Sequence, residues 1–137
     1  MDIEEYERWI KSAEKTLQSA KGDLEREDYN WACFKAQQAA EKALKAFLYG
    51  LGKPKKGHLL IQLLDEIGKM KFEIKNIRED CIRLDKYYIP TRYPNAWPSS
   101  FPEELYAKGE AEEAIERAKR VIKWIKDLWE FLKKEGK

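Results

Sequence analysis

The run from Trp31 to Gly52 constrains this chain more than any other. It places apolar side chains at Ala32, Ala36, Ala39, Ala40, Ala43, Leu44, Phe47, Leu48 and Leu51. These follow the i, i+3, i+4, i+7 spacing of an amphipathic helix, and Cys33 and Phe34 widen the arc. Alanine dominates that face, so neighbouring helices can approach closely. Asp28 is the expected N-cap, while Gly50, Gly52 and Pro54 end the helix. A helix with so broad and so flat an apolar face belongs at the centre of a bundle.

The flanking segments supply its neighbours. Asp2 and Glu5 have capping-box spacing, and Ile3, Tyr6, Ile10, Ala13, Leu17, Ala20 and Leu24 draw one apolar stripe on a first helix. The link Glu25-Arg-Glu-Asp28 is short enough to force a hairpin with the second helix. After a basic loop, Lys53-Pro-Lys-Lys-Gly-His58, a third helix points Leu59, Leu60, Leu63, Leu64 and Ile67 at the core and ends at Gly68. Ile74, Ile77, Cys81, Leu84 and Tyr88 mark a fourth, which Pro90 must stop. A fifth runs from about Glu110 to Lys134 with Ala111, Ala114, Ala118, Val121, Ile125, Leu128 and Leu132 inward, and with Ile115, Ile122 and Trp129 widening that stripe. Trp124 and Phe131 lie off that stripe and are candidates for a subunit contact.

Between helices four and five the periodicity fails. Tyr87 to Glu103 holds four prolines and five aromatic residues in seventeen positions. Loops of this length without regular structure tend to be functional, and burial of the rings offsets the entropy of ordering them. An ordered arm lying against the bundle is expected. The fold class is therefore all-α: an antiparallel up-and-down bundle of about five helices, with a four-helix core and a Pro/aromatic-rich loop, in a single domain over residues 1–137.

Composition narrows the function. Twenty-seven basic residues stand against twenty-five acidic ones, a net +2, so attraction to nucleic acid depends on where the charges sit. Lys and Glu abound while Asn and Gln together number seven, a bias associated with thermophiles. No apolar run is long enough to span a bilayer, and the first residues lack the pattern of a signal peptide, so a cytoplasmic protein without membrane contact is expected. Cys33 and Cys81 are expected as buried, reduced thiols. With one histidine in the chain no metal site is expected, and no cofactor is called for.

Three segments together resemble the HEPN domain, named for higher eukaryotes and prokaryotes nucleotide-binding. Tyr29 to Leu48 is similar to the family's second helix, Gly57 to Leu64 to its His-led third helix, and Leu84 to Pro94 to its Tyr…Thr-Arg-Tyr-Pro turn. Some HEPN proteins are metal-independent ribonucleases, including toxins, whose motif is Arg followed four to six residues later by His. Here no His follows Arg92, and the sole histidine, His58, lies upstream. Other members resemble the helical half of nucleotidyltransferases and pair with a small nucleotidyltransferase.

The resemblance thus implies a homodimeric nucleotide- or phosphate-ligand-binding bundle acting with a nucleotidyltransferase partner in a toxin–antitoxin-like system, and not an enzyme by the family's motif. Arg92 is the expected phosphate anchor, with a planar fork suited to bidentate contact. His58, Lys56 and Lys86 are secondary contacts, and Tyr88, Tyr93 and Trp97 stacking or shaping groups. Against this, Arg92 could instead pair with Asp85 or cap carbonyls, and Glu41 with Lys45 reads as a helix-stabilising i, i+4 pair. Lys42 and Lys45 could face the same cleft. Two alternatives remain: a metal-independent RNA endonuclease toxin using His58 with Arg92, and a non-catalytic dimeric interaction module.

Overall fold

The computed structural model describes residues 1–136, which form an all-helical bundle: α1 (Ile3–Glu25), α2 (Tyr29–Gly50), α3 (Leu60–Lys69), α4 (Lys75–Asp85), α5 (Pro102–Leu105) and α6 (Lys108–Glu135). A 3-10 turn, Pro94–Ala96, interrupts the arm before α5. The helix count exceeds expectation by the single turn of α5. Pro102 seeds that turn at its first position, where a missing N–H costs nothing.

Helix α2 is the axis. Eight of its alanine, leucine and phenylalanine side chains, from Ala32 to Phe47, are wholly inaccessible to solvent. Helix α1 folds back along it, and the return is closed by Glu27 at φ 67, a left-handed conformation in a non-glycine residue. Asp28 occupies the N-cap position of α2 but makes no capping bond; its carboxylate lies 3.7 Å from Arg26 Nε instead. At the far end the Asp2 N–H donates to the Gly50 carbonyl at 2.6 Å, tying the start of α1 to the end of α2.

Only half of the expected capping box at α1 forms. Asp2 accepts from the Glu5 N–H at 3.0 Å, whereas the Glu5 carboxylate turns to Trp9 Nε1 and Arg8. Ile3 is 51% exposed, so the core stripe begins at Tyr6. Helix α6 packs against both α1 and α2 through Trp129, whose ring stacks on Tyr6 at 4.1 Å and meets Phe47 edge-on. Gly50 matters here for want of a side chain: a Cβ would sit 2.7 Å from the Trp129 ring. Trp124, read as a surface anchor, is half-buried against the core, while Phe131 is exposed as expected.

Helices α3 and α4 close the remaining side of α2. Leu59 is exposed and does not enter the core; Leu60 takes that place. Helix α3 continues past Gly68 to Lys69, and the left-handed residue after it is Lys71 at φ 74. Helix α4 stops at Asp85, five residues before Pro90, which frees Tyr88 from the helical stripe and leaves it to the arm. Cys33 and Cys81 are buried and unbonded; burial pushes the Cys33 thiol up to about 12 and raises that of Cys81 as well. No helix among the described residues is long and apolar enough to cross a membrane.

Candidate functional site

On α2 a second stripe runs beside the alanine face. Trp31, Phe34, Gln38, Glu41 and Lys45 alternate spacings of three and four, so they share one side of the helix. Phe34 was expected to widen the apolar arc. It is instead half-buried outside the core, as are its neighbours on that stripe nearest the arm. Against it rests the turn that follows α4.

That turn is braced from within. The fully buried Thr91 donates its hydroxyl to the Tyr87 carbonyl at 2.6 Å, and the buried Asn30 amide donates to the Thr91 carbonyl at 3.0 Å. Trp97 Nε1 donates to the Pro90 carbonyl at 2.9 Å, and its ring meets Tyr106 edge-on. Tyr106 in turn meets Tyr87, so the arm is ordered by its own rings. Both phenols are buried enough that their pKa is pushed up to about 12. The structure therefore places Trp97 as a brace of the arm, apart from Arg92.

Arg92 is half-buried among rings. Its guanidinium carbon lies 4.3 Å from the Phe34 centroid, 4.8 Å from Tyr88 and 5.0 Å from Tyr93. Its Nε–H donates to the Tyr88 carbonyl at 3.0 Å. That bond is the carbonyl cap weighed from the sequence; the ion pair with Asp85 does not form, and among the described residues no carboxylate comes within 4.0 Å of this guanidinium. Rings attract a cation without cancelling its charge as an acid would. The terminal nitrogens keep a donor edge that fits a phosphate or carboxylate.

Asp85 has another task. Its two carboxylate oxygens accept from the Leu60 and Ile61 N–H groups at 2.7 and 3.0 Å, capping α3 from a different helix. Burial raises its pKa above the usual carboxylate range, against the pull of those two amides. Because the bond fixes the first turn of α3, it also fixes the approach to that turn, where His58 precedes the N-cap residue Leu59.

His58 stacks on Tyr88, a ring that Arg92 also meets. Its ring lies 5.0 Å from that of Tyr88 at an angle of 18°. Nδ1 lies 3.2 and 3.3 Å from the two Glu41 oxygens, and the Gln37 amide holds the His58 carbonyl at 2.8 Å. An Nδ1–H donated to a carboxylate leaves Nε2 as the ring's free acceptor. Glu41 is itself buried and also accepts from Lys45 Nζ at 3.0 Å and Gln38 Nε2 at 3.1 Å. The Glu41–Lys45 pair read from the sequence is present, but it is a buried pair that also orients His58. Lys45 is buried with it, and Lys42 points to Thr16 on α1.

Of the expected site residues, then, Arg92, His58, Tyr88 and Tyr93 come together, with Tyr88 as the shared surface. Lys56 and Lys86 are exposed on the loop and at the end of α4. Phe34 and Glu41 complete the cluster, and neither was singled out for it. The signal that could have found them is the three-four alternation of Trp31, Phe34, Gln38, Glu41 and Lys45 on a helix whose other face is alanine.

A model of the HEPN domain matches residues 6–128. The chain is 32% identical over 136 residues to a protein of Methanocaldococcus jannaschii named Putative toxin MJ1304, covering 93% of this chain and 88% of that one. The solved structure of TT1696 from Thermus thermophilus superposes with a TM-score of 0.85 at 38% identity, over 89% of this chain and 96% of its own. That of ST0689, an archaeal HEPN homologue, does so at 0.76 and 36%, over 90% and 96%. Matched by the domain model along nearly its whole length and by relatives above 30% identity, the chain belongs to the HEPN domain family.

Proposed function

We propose that this HEPN bundle binds a phosphate-bearing nucleotide ligand at the Arg92–Tyr88–His58 cluster, as one component of a toxin–antitoxin-like system. The observation that carries the reading is the state of Arg92: a half-buried guanidinium held by three rings and one carbonyl, with no acid against it. A structural arginine at such a depth ordinarily finds a carboxylate, as Arg117 does with Asp80 at 2.9 Å in this same molecule. Arg92 keeps its charge available, and the rings around it offer faces to a base. The name of the archaeal relative supports the toxin context.

The nucleotidyltransferase partner and the homodimer that the family resemblance implies belong to the same proposal. Ile89 on the arm and Phe101 and Leu105 at α5 are exposed, and these apolar side chains form the surface offered to a second copy.

A second reading has its own observation. His58 and Arg92, too far apart in sequence for the ribonuclease motif, both rest against the ring of Tyr88, and Glu41 orients the histidine. That pairs a proton-transfer group with a phosphate-binding one, the minimum for metal-independent RNA cleavage.

One experiment addresses both. ATP and a single-stranded RNA of about twelve nucleotides, within the site sizes of single-strand-binding folds, are titrated into wild type and Arg92→Ala in the presence of EDTA. Loss of a charge-assisted phosphate contact of about 1.5–3 kcal/mol predicts weakening of roughly tenfold or more for both ligands. Equal affinity in the two proteins, or no binding to either, removes the site. Shortening of the RNA by wild type, abolished in His58→Ala, selects the cleaving form; intact RNA selects the binding form.

A further inference from the structure

We propose that the groove between α1 and α2 docks an acidic amphipathic helix of a partner protein; this goes beyond the proposed function and stands without the Arg92 cluster. Helix α1 packs mainly on α2 and α6, whereas α3, α4 and α5 gather on α2. One side of the α1–α2 hairpin is left uncovered, and three adjoining clefts of about 450, 280 and 420 Å³ run along it. Arg8 and Trp9 line both the first and the second, and Ser12 and Lys42 both the second and the third, so they form one trough. Its walls come from α1, α2 and the loop after α2 alone.

The two ends of the trough differ in chemistry. One is apolar: Trp9 and Tyr49 meet edge-on at 4.9 Å beside Pro54. Glu5, the one carboxylate in the lining, sits at that end and already holds Arg8 at 2.7 Å and the Trp9 indole at 3.0 Å. The other end is basic, with Lys15, Lys35 and Lys42 and no acid in its lining. Lys42 Nζ donates to Thr16 Oγ1 and Lys35 Nζ to Ser19 Oγ, each at 2.9 Å. A hydroxyl fixes an ammonium group without neutralising it, so the positive potential survives. Asp23, 3.0 Å from Lys35, offsets that lysine in part from outside the lining.

Length and spacing select the occupant. From Glu5 to Ser19 the trough follows fourteen residues of α1, about 21 Å at 1.5 Å per residue, and a helix of the same length fills it. The small side chains Ser12, Thr16 and Ser19 let another helix axis come to about 8–10 Å. Lys35 and Lys42 stand seven residues apart on α2, about 10.5 Å, the separation of carboxylates at i and i+7 on one face of a facing helix. A nucleic-acid strand asks for a different layout, with rings and cations interleaved at each nucleotide. Here Trp9 and Tyr49 pack on each other beside a carboxylate that repels phosphate. Phe34, the ring at the basic end, has the Arg92 guanidinium over it at 4.3 Å. A short isolated helix is marginal in water, so the occupant belongs to a folded partner or folds on this surface.

The probe is a synthetic helical peptide of about fourteen residues, the length of the trough at 1.5 Å each, with leucines in one half and glutamates at i and i+7 in the other. Fluorescence anisotropy follows its binding to the whole chain, beside a counterpart with lysine for glutamate and the RNA used above. Wild type should take the acidic peptide and not the basic one. Lys15→Glu/Lys42→Glu should weaken the acidic peptide by roughly tenfold or more, because attraction becomes like-charge contact, and should now take the basic peptide. That exchange of preference is something a misfolded variant does not show. Ser12→Trp, which fills the middle of the trough and keeps its charges, should abolish binding of the acidic peptide. No saturable binding of that peptide to wild type, or equal binding of both peptides, overturns the proposal. So does an equal loss of RNA affinity in the charge-reversed variant, since the trough would then hold nucleic acid. Self-association in sedimentation that disappears in Ser12→Trp overturns the partner, because a second copy is then the occupant. Peptide bound by a wild type that binds no RNA upholds the trough and removes the Arg92 reading.

Discussion

Glu41→Ala should destabilise the protein by about 3–5 kcal/mol, the range for removing one partner of a buried ion pair. The side chains of Glu41 and Lys45 are 7% and 9% exposed, and the carboxylate is the only acid bonded to that ammonium among the described residues. Without it the Lys45 charge stays buried, with only the Trp9 ring 5.9 Å away to attract it. The double variant Glu41→Ala/Lys45→Met removes both charges and should recover most of the loss, because a buried pair replaced by apolar groups is often near neutral. Urea denaturation of the three proteins checks this. A single variant within about 1 kcal/mol of wild type, the range of an exposed pair, would show that water reaches the pair. Even the stabilised double variant should bind ligand less well, since His58 loses the carboxylate that orients it.

Trp129→Ala should cost a similar amount, about 3–5 kcal/mol for truncating a buried tryptophan, while leaving ligand affinity intact in whatever fraction remains folded. Trp129 is 1% exposed and joins three helices: it stacks on Tyr6 of α1, meets Phe47 of α2 and fills the space left open at Gly50. Trp129→Phe separates packing from polarity. The indole Nε1 is buried without a hydrogen-bond partner, so its removal relieves an unsatisfied donor and offsets part of the lost ring area. A loss smaller than that of Trp129→Ala is expected for Phe, which keeps a ring in the site but leaves a smaller cavity where the rest of the indole lay. Equal losses in the two variants, by chemical denaturation, would contradict the packing assignment.

These two side chains also mark what could be read from the sequence. The alternation of apolar residues was enough to draw the helices and to place Trp129 on the inner face of α6, because a core helix has one periodicity and one partner requirement. The same reasoning ended α4 at Pro90 when it ends at Asp85. The reason is tertiary: Asp85 turns its carboxylate to the start of α3, a bond invisible in local spacing. It also assigned Phe34 to the core, since an aromatic residue on a helix has no label saying which neighbour it meets. Arg92 was legible as an unusual residue on a rigid turn. Its surroundings were not, because Phe34, Tyr88 and Tyr93 converge on it from two separate segments. Left-handed residues were sought among glycines, and Gly52 after α2 is one at φ 73, but Glu27 and Lys71 close their turns without glycine.

Direct observation of the Arg92 side chain decides the matter of function. In the free protein its Nε–H is bonded to the Tyr88 carbonyl and should give a distinct signal in proton–nitrogen correlation spectra. On titration with the single-stranded RNA, that signal should move together with the His58 ring and the Phe34 amide, while Trp124 and Phe131 on α6 stay still. Movement centred on α6 with Arg92 unchanged would contradict the account and leave the rings around the guanidinium as structural packing alone.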